Sequence, residues 1–151
     1  MRMDSKMAYK AYWYSEDVII DGIQFRAKVD EVIWFMTHGS HVVPIKQDRL
    51  LYLYDETTMM KRSFYSISND GKKRMDTVIE GIKAYEPSDL SQFKHAIFLI
   101  QASKDYPLTM TELHKLQDIT ILLPTSIEIT WGLGIDDTLD DRIYFTLVCS
   151  K

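Results

Sequence analysis

Apolar residues recur at alternating steps of four and three from Val18 through Gly22, Phe25, Val29 and Val32 to Met36, and Ile19, Ile23 and Ile33 widen the stripe. Asp17, Asp21, Gln24, Lys28 and Glu31 lie mostly off it. The spacing predicts one long amphipathic helix. Ser15 is placed to cap it, Glu16 and Asp17 suit its positively polarised first turn, and Gly39 marks its end. Leu50, Leu51 and Leu53 form a weaker apolar segment after Pro44, read as a short helix beginning near Gln47.

Downstream, residues 61–68 read as a strand. Asn69 or Asp70 then caps a helix whose inner face is Met75, Val78, Ile79 and Ile82, with Glu86-Pro87 as its stop. Residues 95–102 are an almost unbroken apolar run, the pattern of a strand covered on both faces. Thr109 and Glu112 make a capping box, with Leu108 and Leu113 as its hydrophobic staple, and open a helix over about 110–118. Ile127, Ile129, Trp131, Leu133 and Ile135 then alternate with Glu128, Thr130, Gly132 and Gly134. After an Asp-rich turn, Ile143, Phe145, Leu147 and Cys149 alternate again, which suggests an antiparallel pair. The order strand, helix, strand, helix, strand, strand reads as an α+β sheet with helices packed on it.

With 151 residues the chain fits one domain, or a domain with an appendage. A soft boundary falls near residues 55–62. An apolar fraction of 46% against 26% charged excludes disorder as the main state. The longest apolar runs, such as Ala96 to Ile100, fall far short of the roughly 20 residues a membrane-spanning helix needs, so no span is expected. The start of the chain lacks the apolar core of a secretory signal, which points to the cytoplasm. A net charge of −4 argues against nucleic acid as a partner. Eight methionines and a 12% aromatic fraction suit a protein-binding surface.

No motif for catalysis or for a cofactor emerges. Gly132-Leu133-Gly134 lies within a strand and opens no helix, so its glycines read as a close-packing site rather than a phosphate loop. His38 and His41 are three apart, with His95 and His114 elsewhere; without a third ligand nearby they read as loop histidines. Asp136, Asp137, Asp140 and Asp141 read as a solvated hairpin turn, because a calcium loop would want a central Gly and a distal Glu. Cys149, the single cysteine, falls in an apolar alternation where a thiol is buried and inert.

The stretch Ile129 to Ser150, with Trp131-Gly132, Ile135-Asp136-Asp137 and the strand Tyr144-Phe145-Thr146-Leu147-Val148-Cys149-Ser150, resembles the closing strands of the FtsZ/tubulin family. Asp70 to Ile82, Asp89-Leu90-Ser91, Ala96 to Ile100 and Leu108-Thr109 extend the resemblance over about residues 60–151. Ser15 to Gln24, leading to Val29-Asp30-Glu31-Val32-Ile33, is similar to the family's central helix. The resemblance implies an α+β domain: a four-stranded mixed sheet with two packed helices, preceded by a long N-terminal helix. It divides the chain into an arm (1–14), a central-helix-like segment and loop (15–58) and a C-terminal-like domain (59–151). The family's loop after that helix reads N-x-D-x-x-D and reaches the neighbouring subunit's nucleotide. Anchored on Gln47-Asp48-Arg49, its positions fall here on Val43, Ile45 and Asp48, so one acid remains. The family's Gly-rich nucleotide-binding half has no counterpart in the sequence.

The resemblance therefore implies a non-catalytic domain acting through protein contacts, related to cell division or filaments, with no GTP binding of its own and no cofactor. The helix stripe must be covered by the chain's own C-terminal part, a second copy or a partner. Phe25, Val29, Ile33, Met36 and Asp48 are the expected partner contacts. The alternative is a small oligomeric α+β enzyme or ligand-binding protein whose site lies between subunits and draws on Arg49, Arg142 or Tyr144. A third reading, a fragment of a longer GTPase, is disfavoured by Val43 and Ile45 and by the start at Met1.

Overall fold

The computed structural model describes residues 15–20, 24–66, 74–83 and 90–151. One mixed sheet of six strands runs through it in the order β1-β3-β6-β4-β5-β2. The strands are β1 (Ser15–Ile20), β2 (His41–Val43), β3 (Met59–Tyr65), β4 (His95–Ala102), β5 (Glu128–Ile135) and β6 (Ile143–Ser150). Among the described residues four α-helices accompany them: α1 (Phe25–Thr37), α2 (Arg74–Lys83), α3 (Met110–His114) and α4 (Leu116–Leu122). A 3₁₀ helix covers Gln47–Asp55. The four expected strands form the middle of the sheet, β3-β6-β4-β5, and segment 15–58 adds an edge strand on each side.

Two of the sequence expectations are corrected. The helix expected from Ser15 begins at Phe25, and Ser15–Ile20 is instead a strand, antiparallel to β3 in the register Ser15↔Phe64 to Ile20↔Met59. Val18-Ile19-Ile20 is a β-branched run that favours extended backbone, and β3 offers it a complete ladder. Among the described residues the four-three spacing is α-helical from Phe25 onward. Secondly, β5 and β6 are not neighbours. β4 lies between them, parallel to β5 and antiparallel to β6. Alternation specifies which face a side chain takes, not which strand lies alongside, and the seven residues 136–142 are long enough to step over one strand, roughly 10 Å.

Both sheet faces are covered. On one side Ala96, Phe98 and Ile100 of β4 and Phe145, Leu147 and Cys149 of β6 pack under Met75, Val78, Ile79 and Ile82 of α2 and Ile119 of α4. The expected inner face of α2 is therefore correct; its expected cap and stop lie outside the described residues. On the other side Phe25, Val29, Val32, Ile33 and Met36 of α1 pack with Leu50, Leu53 and Met59 on Ile97, Leu99 and Val148. Each such side chain contributes roughly 1.5–3 kcal/mol of burial. α1 ends at Thr37, followed by Gly39 at φ +90°, a left-handed position that glycine adopts without strain.

Two devices lock the α2–α4 layer. The Thr109–Glu112 capping box forms as expected, with Glu112 N–H donating to Thr109 Oγ1 at 3.2 Å and Thr109 N–H donating to Glu112 Oε1 at 2.9 Å. The helix it opens breaks at Lys115 and resumes as α4 to Leu122. Glu112 also takes a two-pronged ion pair from Arg74 (Nη2–Oε1 2.7 Å, Nε–Oε2 3.0 Å), both residues being fully buried. Arg74 further donates to the carbonyls of Tyr106, Pro107 and Asp141. One guanidinium thus ties the start of α2 to the start of α3 and to the turn before β6.

Candidate functional site

The expected partner contacts separate into two groups. Phe25, Val29, Ile33 and Met36 are buried beneath the chain's own sheet, so their expected role as partner contacts is corrected: α1 finds its cover inside the chain. Asp48 is exposed at the start of the 3₁₀ helix. It sits beside an open groove of about 480 Å³ between Pro44–Arg49 and the outer edge of β5, lined by Pro44, Ile45, Lys46, Asp48, Arg49, Ile129, Thr130 and Trp131.

Local packing builds this groove. β2 pairs with Gly134 and Leu133 through His41 and Val43, then stops. Pro44 has no N–H to continue a ladder. Ile45 is buried, and its side chain lies over Gly132, where an added Cβ would come within 2.7 Å of both Ile45 Cγ1 and the Val43 carbonyl oxygen. This is the close-packing role expected of that glycine. It draws the chain off the sheet edge and leaves Trp131 40% exposed, stacked on Phe98 at 6.2 Å. The Leu50 and Leu53 side chains, three apart and fully buried, suit the three-residue turn of the 3₁₀ helix, while Leu51 between them is exposed. They hold the far wall of the groove to the core. Lys46, Asp48 and Arg49 make no side-chain ion pair among the described residues. Of the three positions that correspond to the family's acidic loop, Val43 is half-buried in a strand, Ile45 is core and Asp48 alone faces water.

A second polar cluster escaped sequence reasoning. His95, the first residue of the expected strand 95–102, opens β4. Its Nδ1 lies 2.5 Å from Glu56 Oε1 and its Nε2 3.5 Å from Glu128 Oε2, and the Tyr52 ring packs on it at 4.3 Å. Ser150 Oγ donates to the same Glu56 oxygen at 3.2 Å. The hydroxyl thus serves the carboxylate rather than the imidazole, which makes a clasp between the 3₁₀ helix and the sheet end and not a nucleophile–base pair. Burial, and then the Glu56 carboxylate, push the Tyr52 phenol above its ordinary value. The signal was too dispersed to find in the sequence: four of these residues come from four separate elements, and only their register brings them together.

The remaining candidates have local partners. His41 opens β2 and its ring Nε2–H donates to the His38 carbonyl at 2.9 Å, while His38 stacks on Trp34 at 4.2 Å. Asp136 accepts from Thr138 N–H at 3.0 Å, and Asp137 from Lys104 N–H at 2.9 Å, so the acidic turn is stabilised by backbone donors. It joins strands two places apart, so the expected hairpin there is corrected. Cys149 is fully buried in the apolar cluster, as expected. Arg49 lies by Ile129–Trp131, opposite Ala96–Phe98 of β4, whereas Arg142 and Tyr144 flank the Ala102 end of that strand. Within one chain they form no common site. No described helix is long and apolar enough to cross a membrane.

The sheet order β3-β6-β4-β5, antiparallel except at β4–β5 and flanked by helices, defines an α+β class of domain. No protein-family model matches the sequence, and no curated protein matches it either. Among solved structures the fold is that of FtsZ. An empty FtsZ dimer from M. jannaschii superposes with a TM-score of 0.57 at 18% identity, covering 74% of this chain and 32% of that one. A tryptophan-to-tyrosine FtsZ mutant from M. jannaschii gives 0.58 at 14% identity, covering 99% of this chain and 42% of that one. The chain thus spans well under half the length of the FtsZ chains it matches, as an FtsZ C-terminal-like domain would.

Proposed function

We propose that this chain is a non-catalytic, FtsZ-like domain of the cytoplasm that works through protein–protein contacts, in cell division or on filaments. The observation that carries the reading is the loop Pro44–Arg49. Where the resembling family places acids that reach a neighbour's nucleotide, Ile45 is instead buried against Gly132 and only Asp48 remains at the surface. A neutral aliphatic side chain cannot polarise an attacking water. The loop keeps an exposed position on the domain with charged side chains free to meet a protein. The sequence also carries no Gly-rich phosphate loop to hold GTP.

Co-sedimentation with GTP-assembled FtsZ filaments tests the reading, alongside analytical ultracentrifugation of the chain alone. The expected result is recovery in the filament pellet or concentration-dependent self-association, with no GTP retained by the chain itself. A strict monomer that stays in the supernatant overturns it. One feature favours the ligand-binding alternative: an apolar cavity of about 240 Å³ at the carboxyl ends of the parallel strands β4 and β5, lined among others by Val42, Leu108, Leu113 and Leu133. Soaking with small aliphatic and aromatic fragments, followed by crystallography, would reveal an ordered occupant if that alternative holds.

A further inference from the structure

β5 has strand neighbours on both sides only near its carboxyl end. Glu128 N–H donates to the Lys94 carbonyl at 2.9 Å and Asp136 N–H to the Ala102 carbonyl at 3.0 Å, both toward the β4 side. Ile135 N–H donates the opposite way, to the Ser40 carbonyl at 2.9 Å. In a parallel ladder both backbone groups of one residue point the same way, and successive residues alternate. Thr130 and Gly132 therefore face β4, while Ile129, Trp131 and Leu133 face outward. β2 reaches Leu133 and no further. The outward N–H and C=O of Ile129 and Trp131 have no strand opposite them among the described residues. Those groups lie along the groove bounded by Pro44–Arg49.

An open strand edge is a template for another strand. We infer that the free half of the β5 edge receives an extended acidic segment of a protein partner, which adds a strand in line with β2. This rests on the protein-contact reading above and supplies its mode. The segment's backbone bonds to Ile129 and Trp131, whose spacing of roughly 7 Å matches one two-residue repeat of an added strand. The wall opposite carries two exposed cations, Lys46 and Arg49, against one exposed anion, Asp48. That imbalance selects carboxylates on the incoming chain. A second copy pairing edge to edge through β5 would bring another Lys46–Arg49 wall toward the first, which like charge opposes.

The test is an NMR titration of the full ¹⁵N-labelled chain with an acetylated, amidated heptapeptide of alternating Glu and Val. Saturable shifts are expected at Ile129, Trp131 and residues 46–49. Binding should weaken by about tenfold or more when the peptide's alternate amides are N-methylated, since each methyl removes one backbone hydrogen bond to the edge. The Lys–Val counterpart should not bind. Both cations are exposed, so the double variant Lys46→Glu with Arg49→Glu should fold normally, lose the acidic peptide and gain the basic one. The inference is overturned if no saturable shift appears, if the Lys–Val peptide binds equally, or if N-methylation has no effect. It is also overturned if sedimentation and amide exchange show the edge already occupied by a second copy or by residues 1–14. Failure here with retained filament co-sedimentation removes only the edge mode; peptide binding without co-sedimentation removes the filament role and leaves the edge mode standing.

Discussion

Replacing Arg74 by Met keeps an unbranched apolar stem but removes the guanidinium, with its charge and all five of its described hydrogen bonds. Glu112, 3% exposed, would then be a buried carboxylate facing only the Thr109 N–H. The carbonyls of Tyr106, Pro107 and Asp141 would each lose a donor. Removing one partner of a buried pair costs about 3–5 kcal/mol, a large share of the roughly 5–15 kcal/mol that holds a domain together. With a urea dependence of about 2 kcal/mol per molar, the unfolding midpoint should fall by about 2 M. Glu112→Gln should cost less, about 1–3 kcal/mol, because Gln still serves the capping box and Arg74 keeps its three carbonyls. Combined, the two changes should cost less than their sum, since the second removes the charge the first left stranded. Urea unfolding of the four proteins followed by circular dichroism measures this cycle. A cost below about 1 kcal/mol for Arg74→Met, or strict additivity, would refute the argument that the pair is desolvated and coupled.

Gly132→Ala should destabilise the fold by about 1–3 kcal/mol and speed amide exchange in His41–Val43, because the new methyl meets a backbone oxygen. Gly134→Ala has one tight contact, with the Gln101 side chain at 3.2 Å, the others lying at 3.7 Å, and should cost distinctly less in the same thermal melts. Leu50→Ala should cost about 2–5 kcal/mol while Leu51→Ala stays within about 0.5 kcal/mol, a contrast that a regular helix burying both would not give. The Tyr52 phenol holds its proton more tightly in the native state than its ordinary value of 10.0, chiefly through burial. Native protein therefore binds more protons than unfolded protein in alkali, and stability should be intact below about pH 10 and decline as pH rises above it. Urea midpoints measured from about pH 8 to about pH 11 should show that decline, and Tyr52→Phe should flatten it.

Much of the central architecture could be read from short-range signals. The capping box at Thr109, the inner face of α2, the continuous apolar run of β4 and the alternations of β5 and β6 each depend on residues close together in the chain, and each matches the structure. The errors arose where a distant partner decided. Val18-Ile19-Ile20 fits a helical stripe on paper, but β3 presents it with a complete ladder. β5 and β6 look like a hairpin until β4 takes the place between them. The site was legible only in part for the same reason. Asp48 and the packing glycine were visible as residue types, whereas the exposed edge at Ile129 and Trp131 depends on where β2 stops. The cluster of Tyr52, Glu56, His95 and Ser150 depends on strand register and on where the 3₁₀ helix meets the sheet.

The position of β6 has a consequence for how the molecule is made. It lies between β3 and β4 although it comes last of the six described strands in chain order. Until Ile143–Ser150 leave the ribosome, β1–β3 on one side and β4–β5–β2 on the other have no shared neighbour. A nascent chain would carry two partial sheets with open edges, exposed to mispairing. Completion of the sheet should therefore wait for Ile143–Ser150 and be slowed by its long-range pairings. A stop codon before Ile143 should yield insoluble protein rather than a slightly shorter version of this one.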